Sequence, residues 1–330
     1  MKPLITRACA GVLIALTAGT VGWYAGAQDV EAPPRTLKVN QVARVGQEVI
    51  SAEQFIQRLV ERERLYYQDP DLRTAEWALH SLVIDELMRL EAERLEAPVK
   101  RRELDTEQEK LLADFELEFK TVNEQIIKAQ RARGSAEKAY TRDEYLLAKF
   151  DMTYDQFKNI KREQAKQLLT TRMVVNYWKL SSRSADVEGV FCRSREDAVK
   201  ARARIAKGED ISIVAGEMSE DLHSREGGGF LGTAYPQDGS LRPAVETVLW
   251  GLEVGEISQP VEVDNGFWVI RKRHEQLANE APFYDQREKC IAGTNPDNAL
   301  MLKWRHAVVA GGLYKFERRM PGWDVKPGEE

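Results

Sequence analysis

The stretch from Leu252 to Arg273, "LEVGEISQPVEVDNGFWVIRKR", decides how the second half of the chain is read. Two β-rich runs, "ISQPVEV" and "FWVIRKR", flank Asp264-Asn265-Gly266, and Asn-Gly between such runs is a strong hairpin signal. Upstream, Pro243 to Leu252 reads as a helix, and before it lies "EDLHSREGGGFLG", Glu220 to Gly232. Further back, "ISIVAGEMSED" reads as a short helix. "SREDAVKARARIAKGED" reads as a longer one, acidic early and basic late, with Gly208 just past its end. The polar linker "SSRSADVEGV" leads into a strand-like run from Val187 to Cys192. The order is strand, helix, helix, strand or loop, helix, strand, strand.

The three glycines do not make a phosphate loop. That loop places its glycines between a strand and a helix and follows them with the lysine of GxxxxGK[ST], and neither condition holds here.

The first half is helical in pattern. "VARVGQEVI" (Val42 to Ile50) suggests a small hairpin or extended lead-in around Gly46-Gln47. Ser51 with Gln54 forms a capping box, and Phe55, Ile56, Leu59 and Val60 then fall on one helical face. "TAEWALHSLVIDELMRLEAERLEAP" repeats the stripe and Pro98 ends it. Asp105 to about Arg131 is heavily charged but spaces Leu111, Leu112, Phe115, Phe119, Val122 and Ile126 helically, and Gly134-Ser135 breaks it. A last pair follows, "TRDEYLLAKF" and a longer helix whose capping box is Thr153 with Gln156. Stripes of this kind belong to an ordinary helical bundle.

Composition narrows the functions. The 330 residues can form two domains, and 43% hydrophobic content fills ordinary cores. A net charge of -5, from 48 basic and 53 acidic residues well mixed, offers no basic field for nucleic acid. His80, His223, His274 and His306 are scattered and no CxxC or HExxH occurs, so neither a metal nor another cofactor is expected. Lys2 and Arg7 precede an uncharged run from Ala8 to Ala27 that ends in Ala25-Gly26-Ala27. This reads either as a cleaved signal peptide or as a retained inner-membrane anchor through residues 8–27, and both export the body. Cys192 and Cys290 remain in that body, able to pair in an oxidising compartment or to stay as two small buried side chains.

Order and phrasing add a resemblance. "VARVGQEVISAEQFIQRL", "LVIDELMRLEAERLEAPVKRRELD" and "FDMTYDQFKNIKREQAKQLL" resemble, in the same order, the N-terminal helical domain of SurA/PrsA-type exported chaperones. From about Asp186 to His274 the chain resembles the parvulin-type (PpiC-like) peptidyl-prolyl cis-trans isomerase domain. "KGEDISIVAGEMSED", Gly228-Gly229 with Leu231-Gly232, Pro243 and the opening stretch carry that likeness. The resemblance implies an α+β fold: a helical N-terminal chaperone-like domain plus a small parvulin-like antiparallel sheet domain with packed helices. The implied divisions are 1–27 signal or anchor, 36–182 helical domain, 186–274 parvulin-like domain and 275–330 C-terminal helical extension and tail. Part of that extension is expected to pack on the N-terminal bundle, and the final "MPGWDVKPGEE" is expected to be loose.

The resemblance also implies a site. Asp221 falls beside the isomerising bond, and it reads equally as a residue that caps or is solvated in its loop. Leu241 falls at an apolar pocket position, and Val245 where an aromatic usually packs on the proline, although both also read as core; Leu231 and Trp268 complete the substrate-binding set. There are departures. The family's two facing histidines fall at Gly189 and Trp268, the aspartate usual after Gly229 is Phe230, and the aromatic that often follows Gly232 is missing. His223 matches no family position and reads as surface. The implied function is an extracytoplasmic, periplasmic folding factor: a parvulin-type isomerase with a degenerate and weak or inactive site. Its implied partners are unfolded or newly exported polypeptides with X-Pro bonds. The alternative is a non-catalytic periplasmic chaperone that holds unfolded clients.

Overall fold

The computed structural model describes residues 37, 40–65, 74–136, 138–312, 314 and 316–318; the segment 8–27 and the final "MPGWDVKPGEE" lie outside them. The chain opens with a hairpin of β1 (Gln41–Val45) and β2 (Glu48–Ser51). Gly46 takes φ +60° at the turn between them, which a glycine does without steric cost. Ser51 and Gln54 exchange backbone and side-chain hydrogen bonds of 2.8 and 3.1 Å, the anticipated capping box, and α1 (Ala52–Leu65) begins.

Four more helices follow: α2 (Thr74–Arg94), α3 (Arg101–Ala132), α4 (Arg142–Phe150) and α5 (Tyr154–Ser181). Phe115 of α3 packs on Phe157 of α5 with ring centroids 4.7 Å apart, and Tyr145, Leu146 and Met152 close that core. Thr153 and Gln156 form the second capping box, which fixes where α5 starts. Helix α5 is the spine of the described residues, since α2, α3 and two helices from the far end of the chain all pack on it.

A four-stranded sheet in the order β4-β3-β6-β5 follows α5. It comprises β3 (Ser184–Cys192), β4 (Phe230–Ala234), β5 (Val261–Val263) and β6 (Gly266–Gln276), all antiparallel to their neighbours. Strand alternation splits the apolar residues between two faces. Val190, Cys192 and Val269 meet α6 (Arg195–Ala206) and α7 (Ile211–Met218) on one face. Ala185, Val187 and Ile270 meet α9 (Pro243–Gly251) on the other. Between α7 and β4 the chain makes a five-residue helix, α8 (Leu222–Glu226), where only a glycine loop was anticipated. Asp221 makes it possible, because its Oδ2 accepts a 2.8 Å bond from the Ser224 amide and so caps the short helix.

The β5–β6 hairpin turns differently from the Asn-Gly expectation. Val263 pairs with Gly266, so Asp264 and Asn265 form the turn and Gly266 opens the strand. Glycine is required there by close approach: a Cβ on it would lie 2.5 Å from the Cys192 carbonyl oxygen.

The C-terminal elements α10 (Phe283–Ala292), α11 (Asn298–Ala310) and β7 (Phe316–Arg318) return to the start of the chain. β7 joins β1 as the third strand of the first sheet. Arg287 of α10 forms a two-pronged ion pair with Glu103 at 2.8 and 2.7 Å and also donates to the Pro98 carbonyl at 3.0 Å. Asn176 of α5 donates to the Cys290 carbonyl at 2.9 Å. Cys192 and Cys290 are both buried free thiols, each pushed up to about 11 by burial. Among the described residues no helix is long and apolar enough to cross a membrane.

Arg305 of α11, itself buried, sits 3.0 Å from Nδ1 of His80 on α2. Burial, with the Arg305 charge alongside, pushes the His80 imidazole down to about 4. The folded state therefore holds His80 neutral while the unfolded chain protonates it near its ordinary value of about 6.5. Its contribution to stability is fully present above about 6.5 and is lost as pH falls from there toward about 4. His80→Gln, which keeps an acceptor for Arg305, is expected to show a smaller drop in thermal midpoint between pH 7.5 and pH 5 than the parent protein. Equal drops would contradict this.

Candidate functional site

The segment from Ser219 to Gly232 is tied to the end of β3 by a short series of bonds. Phe191 N donates to Ser219 Oγ at 3.1 Å, Glu220 N donates to the Phe191 carbonyl at 2.8 Å, and Arg193 N donates to Glu220 Oε1 at 3.0 Å. Gly228 and Gly229, at φ +61° and +82°, then turn the chain back. The Gly229 carbonyl accepts a 2.7 Å bond from the Gly189 amide, so β4 enters the sheet beside β3. The glycine run is thus a route from a helix-capped loop into a strand.

That path leaves a cavity of about 690 Å³ on the α9 side of the sheet. Phe191, Leu231, Val263 and Trp268 line it from the four strands, Val245 from α9, and Gly239 to Arg242 from the loop before α9. Glu220, Asp221, Leu222 and His223 form another wall, with Arg193 and Asn265 completing the lining. All five residues singled out in the sequence, Asp221, Leu231, Leu241, Val245 and Trp268, therefore meet at one cavity. They differ in exposure. Val245 is 1% exposed and belongs to the core beneath the pocket, whereas Leu231, Leu241 and Trp268 are partly buried at its edge.

Asp221 has two roles in the geometry: one carboxylate oxygen caps α8 while the residue lines the cavity. Arg193 and Glu220 neutralise one another at 3.3 Å. His223, read from sequence as surface, is exposed and also lines the cavity, because α8 brings it to the same wall as Asp221. Phe191 and the loop from Gly239 to Arg242, Leu241 apart, were missed. Phe191 had a usable signal, being two residues from Gly189 and therefore on the same strand face. The loop had none.

The two positions where the resemblance calls for histidine are explained by packing. A Cβ on Gly189 would lie 2.9 Å from Leu231 Cδ1, 3.1 Å from Trp268 Cε3 and 3.2 Å from Ile270 Cγ2. The Trp268 ring, 5.3 Å from that of Phe191, takes the space that a side chain at Gly189 would need. The small and the large residue are complementary, and a side chain at Gly189 is crowded while Trp268, Leu231 and Ile270 stay as they are. Among the described residues no cluster of three or more His, Cys, Asp or Glu is arranged to hold a metal.

Residues 192–274 match the PPIC-type PPIASE domain, Rotamase. Over a longer span it is similar to the foldase protein PrsA of Clostridium tetani, 25% identical over 75% of this chain and 77% of that one. It is also similar to foldase protein PrsA 2 of Bacillus cereus, 26% identical over 50% of this chain and only 56% of the relative. Among solved structures it is similar to the peptidylprolyl isomerase PrsA of Bacillus anthracis, at 18% identity and a TM-score of 0.33, covering 71% of this chain and 97% of that one.

Gly189→Ala is expected to lower stability by about 1–3 kcal/mol, because Leu231, Trp268 and Ile270 would all have to yield to a new methyl group. In a Trp268→His background the same change should lower it less, with the Leu231 and Ile270 contacts remaining. Thermal or urea unfolding of the four proteins measures the coupling, and simple additivity would contradict the packing argument.

Proposed function

We propose that the protein is an extracytoplasmic folding factor whose segment 192–274 binds, and weakly isomerises, X-Pro bonds in newly exported or unfolded polypeptides. The observation that carries this reading is the cavity itself: an apolar floor and a polar rim, both belonging to a parvulin-type domain. The chain's similarity to the foldase proteins PrsA of Clostridium tetani and PrsA 2 of Bacillus cereus supports the same class of work. On this reading the segment 8–27 directs export, either as a signal that is removed or as an anchor that is kept.

The chemistry is modest in kind. Twisting an X-Pro bond destroys amide resonance against a barrier of about 18–20 kcal/mol, and the uncatalysed exchange takes about tens to hundreds of seconds. No covalent step is needed. Leu231, Leu241 and Trp268, with Val245 beneath, offer the proline ring an apolar seat away from water. A carbonyl losing resonance is easier to twist in such surroundings, provided the site fits the twisted form better than the planar ones. Asp221 stands on the opposite wall as the charged group nearest in role to the family's acidic residue. With Gly189 and Trp268 in place of two histidines, the polar framework is reduced, so we assign weak catalysis. The same pair favours a second reading, a binding module that holds extended clients without turning them over.

The test is the cis-to-trans rate of a short X-Pro peptide with and without the purified body from Gln28 onward, beside an aggregation assay on an unfolded client. Leu241→Ala is expected to lower kcat/KM by about tenfold, the loss of one well-placed apolar contact. Asp221→Asn retains a good helix cap, so it separates the two roles of that residue. It should fold normally and slow the reaction, whereas Asp221→Ala should also lose about 1 kcal/mol of stability. No acceleration by the parent protein, with aggregation still suppressed, would overturn the isomerase reading in favour of the binding module.

A further inference from the structure

The cavity wall formed by Gly239 to Arg242 is held from outside the parvulin-type domain. Its loop, Tyr235 to Arg242, is built on Asp238, which is 3% exposed. The Asp238 carboxylate accepts 2.8 Å bonds from the amides of Tyr235 and Ser240, and a 2.5 Å bond from the Ser240 hydroxyl. Two neighbouring residues, Gln237 at φ +59° and Gly239 at φ +75°, adopt left-handed backbone, a conformation that a non-glycine residue keeps only when its surroundings enforce it. A buried carboxylate also calls for a counter-charge. Lys303 of α11 supplies it, with Nζ 3.9 Å from Asp238 Oδ2 while the same ammonium donates to the Thr233 carbonyl of β4.

Other groups from outside the domain press on the same loop. The His306 ring of α11 packs so closely that a Cβ on Gly239 would lie 3.1 Å from its Cγ. Trp178 of α5 lies against Tyr235 with ring centroids 4.5 Å apart. The loop therefore has one side in the cavity and the other against α5 and α11, and α11 lies beyond the matched segment 192–274.

We infer that Lys303 is a positioning residue for the substrate pocket, acting through Asp238 to hold the Leu241 wall, so that the C-terminal helix is a working part of the site. Lys303 does not line the cavity, and it influences substrate only by keeping the loop in shape. Without its charge, the Asp238 carboxylate is left buried and unbalanced. The loop then opens to let it reach water, carrying Leu241 with it. The meaning given to the pocket rests on the isomerase reading above, whereas the holding of the loop does not.

The experiment compares the full chain with Lys303→Met, which keeps the aliphatic stem, and with Lys303→Arg, which restores the charge. Two quantities are read: hydrogen exchange at the Tyr235 and Ser240 amides against that of Ile270 in β6, and KM and kcat for an X-Pro peptide. Lys303→Met should speed exchange at the two loop amides by about tenfold relative to Ile270. It should raise KM by about fivefold with kcat within about twofold, and Lys303→Arg should reverse both effects. Loop exchange that keeps pace with Ile270 would overturn the inference, and so would a loosened loop with unchanged KM. A parent protein without isomerase activity would refute the isomerase reading alone, since peptide dissociation constants then replace KM and the exchange comparison stands as it is.

Discussion

Nine residue pairs between β3 and β6 determine which side chains look into the cavity. Because strand side chains alternate, that register sends Val190, Cys192 and Val269 to the face covered by α6 and α7. It leaves Gly189, Phe191, Trp268 and Ile270 to the other face. A slip of one residue would exchange the faces, burying the pocket and exposing a core. One contact pins that register at its end, and a second ties β3 to the glycine turn. Gly266 lets its strand approach the Cys192 carbonyl, and the Gly189 amide bonds the Gly229 carbonyl, so the glycine turn must close where it does. The fit of Trp268 over Gly189 is a consequence of this pairing, and so is the replacement of two polar side chains by one aromatic surface.

The parts of the fold legible in the sequence were those set by local rules. Capping boxes at Ser51 and Thr153, apolar spacing on α3, and the run of β-rich residues after Ile257 each depend on neighbours within a few positions. The five site residues could be brought together only through the family resemblance, since nothing local links Asp221 to Trp268. What could not be read follows from longer-range physics. Asp221 could be read as a cap of its loop, but the helix it caps, α8, has five residues and is too short to leave a periodic signal. Asn-Gly points to Gly266 as part of the turn, whereas packing against Cys192 decides its place at the start of β6. The dependence of the Asp238 loop on Lys303 joins residues far apart in the chain, through a contact that neither segment announces.

The same long-range contacts make the two ends of the described chain one structure. β7 pairs with β1, Arg287 clasps Glu103, and Arg305 reaches His80, so the C-terminal helices are anchored on the N-terminal ones before α11 touches the Asp238 loop. Support for the cavity wall therefore runs from the first sheet, through α5 and α11, to Leu241. A parvulin-type domain joined in this way has its pocket shaped partly by the helices that accompany it.

On the proposed function, a proline side chain sits on the surface made by Leu231, Leu241 and Trp268. The direct measurement is a titration of the full chain with a short X-Pro peptide, followed by NMR of the Trp268 indole N–H and the methyl groups of Leu231 and Leu241. The account predicts saturable shifts at these three residues, absent when alanine replaces the proline, with the Phe115 core of the helical part unmoved. Shifts confined to the helical part, or equal shifts with the alanine peptide, would contradict it.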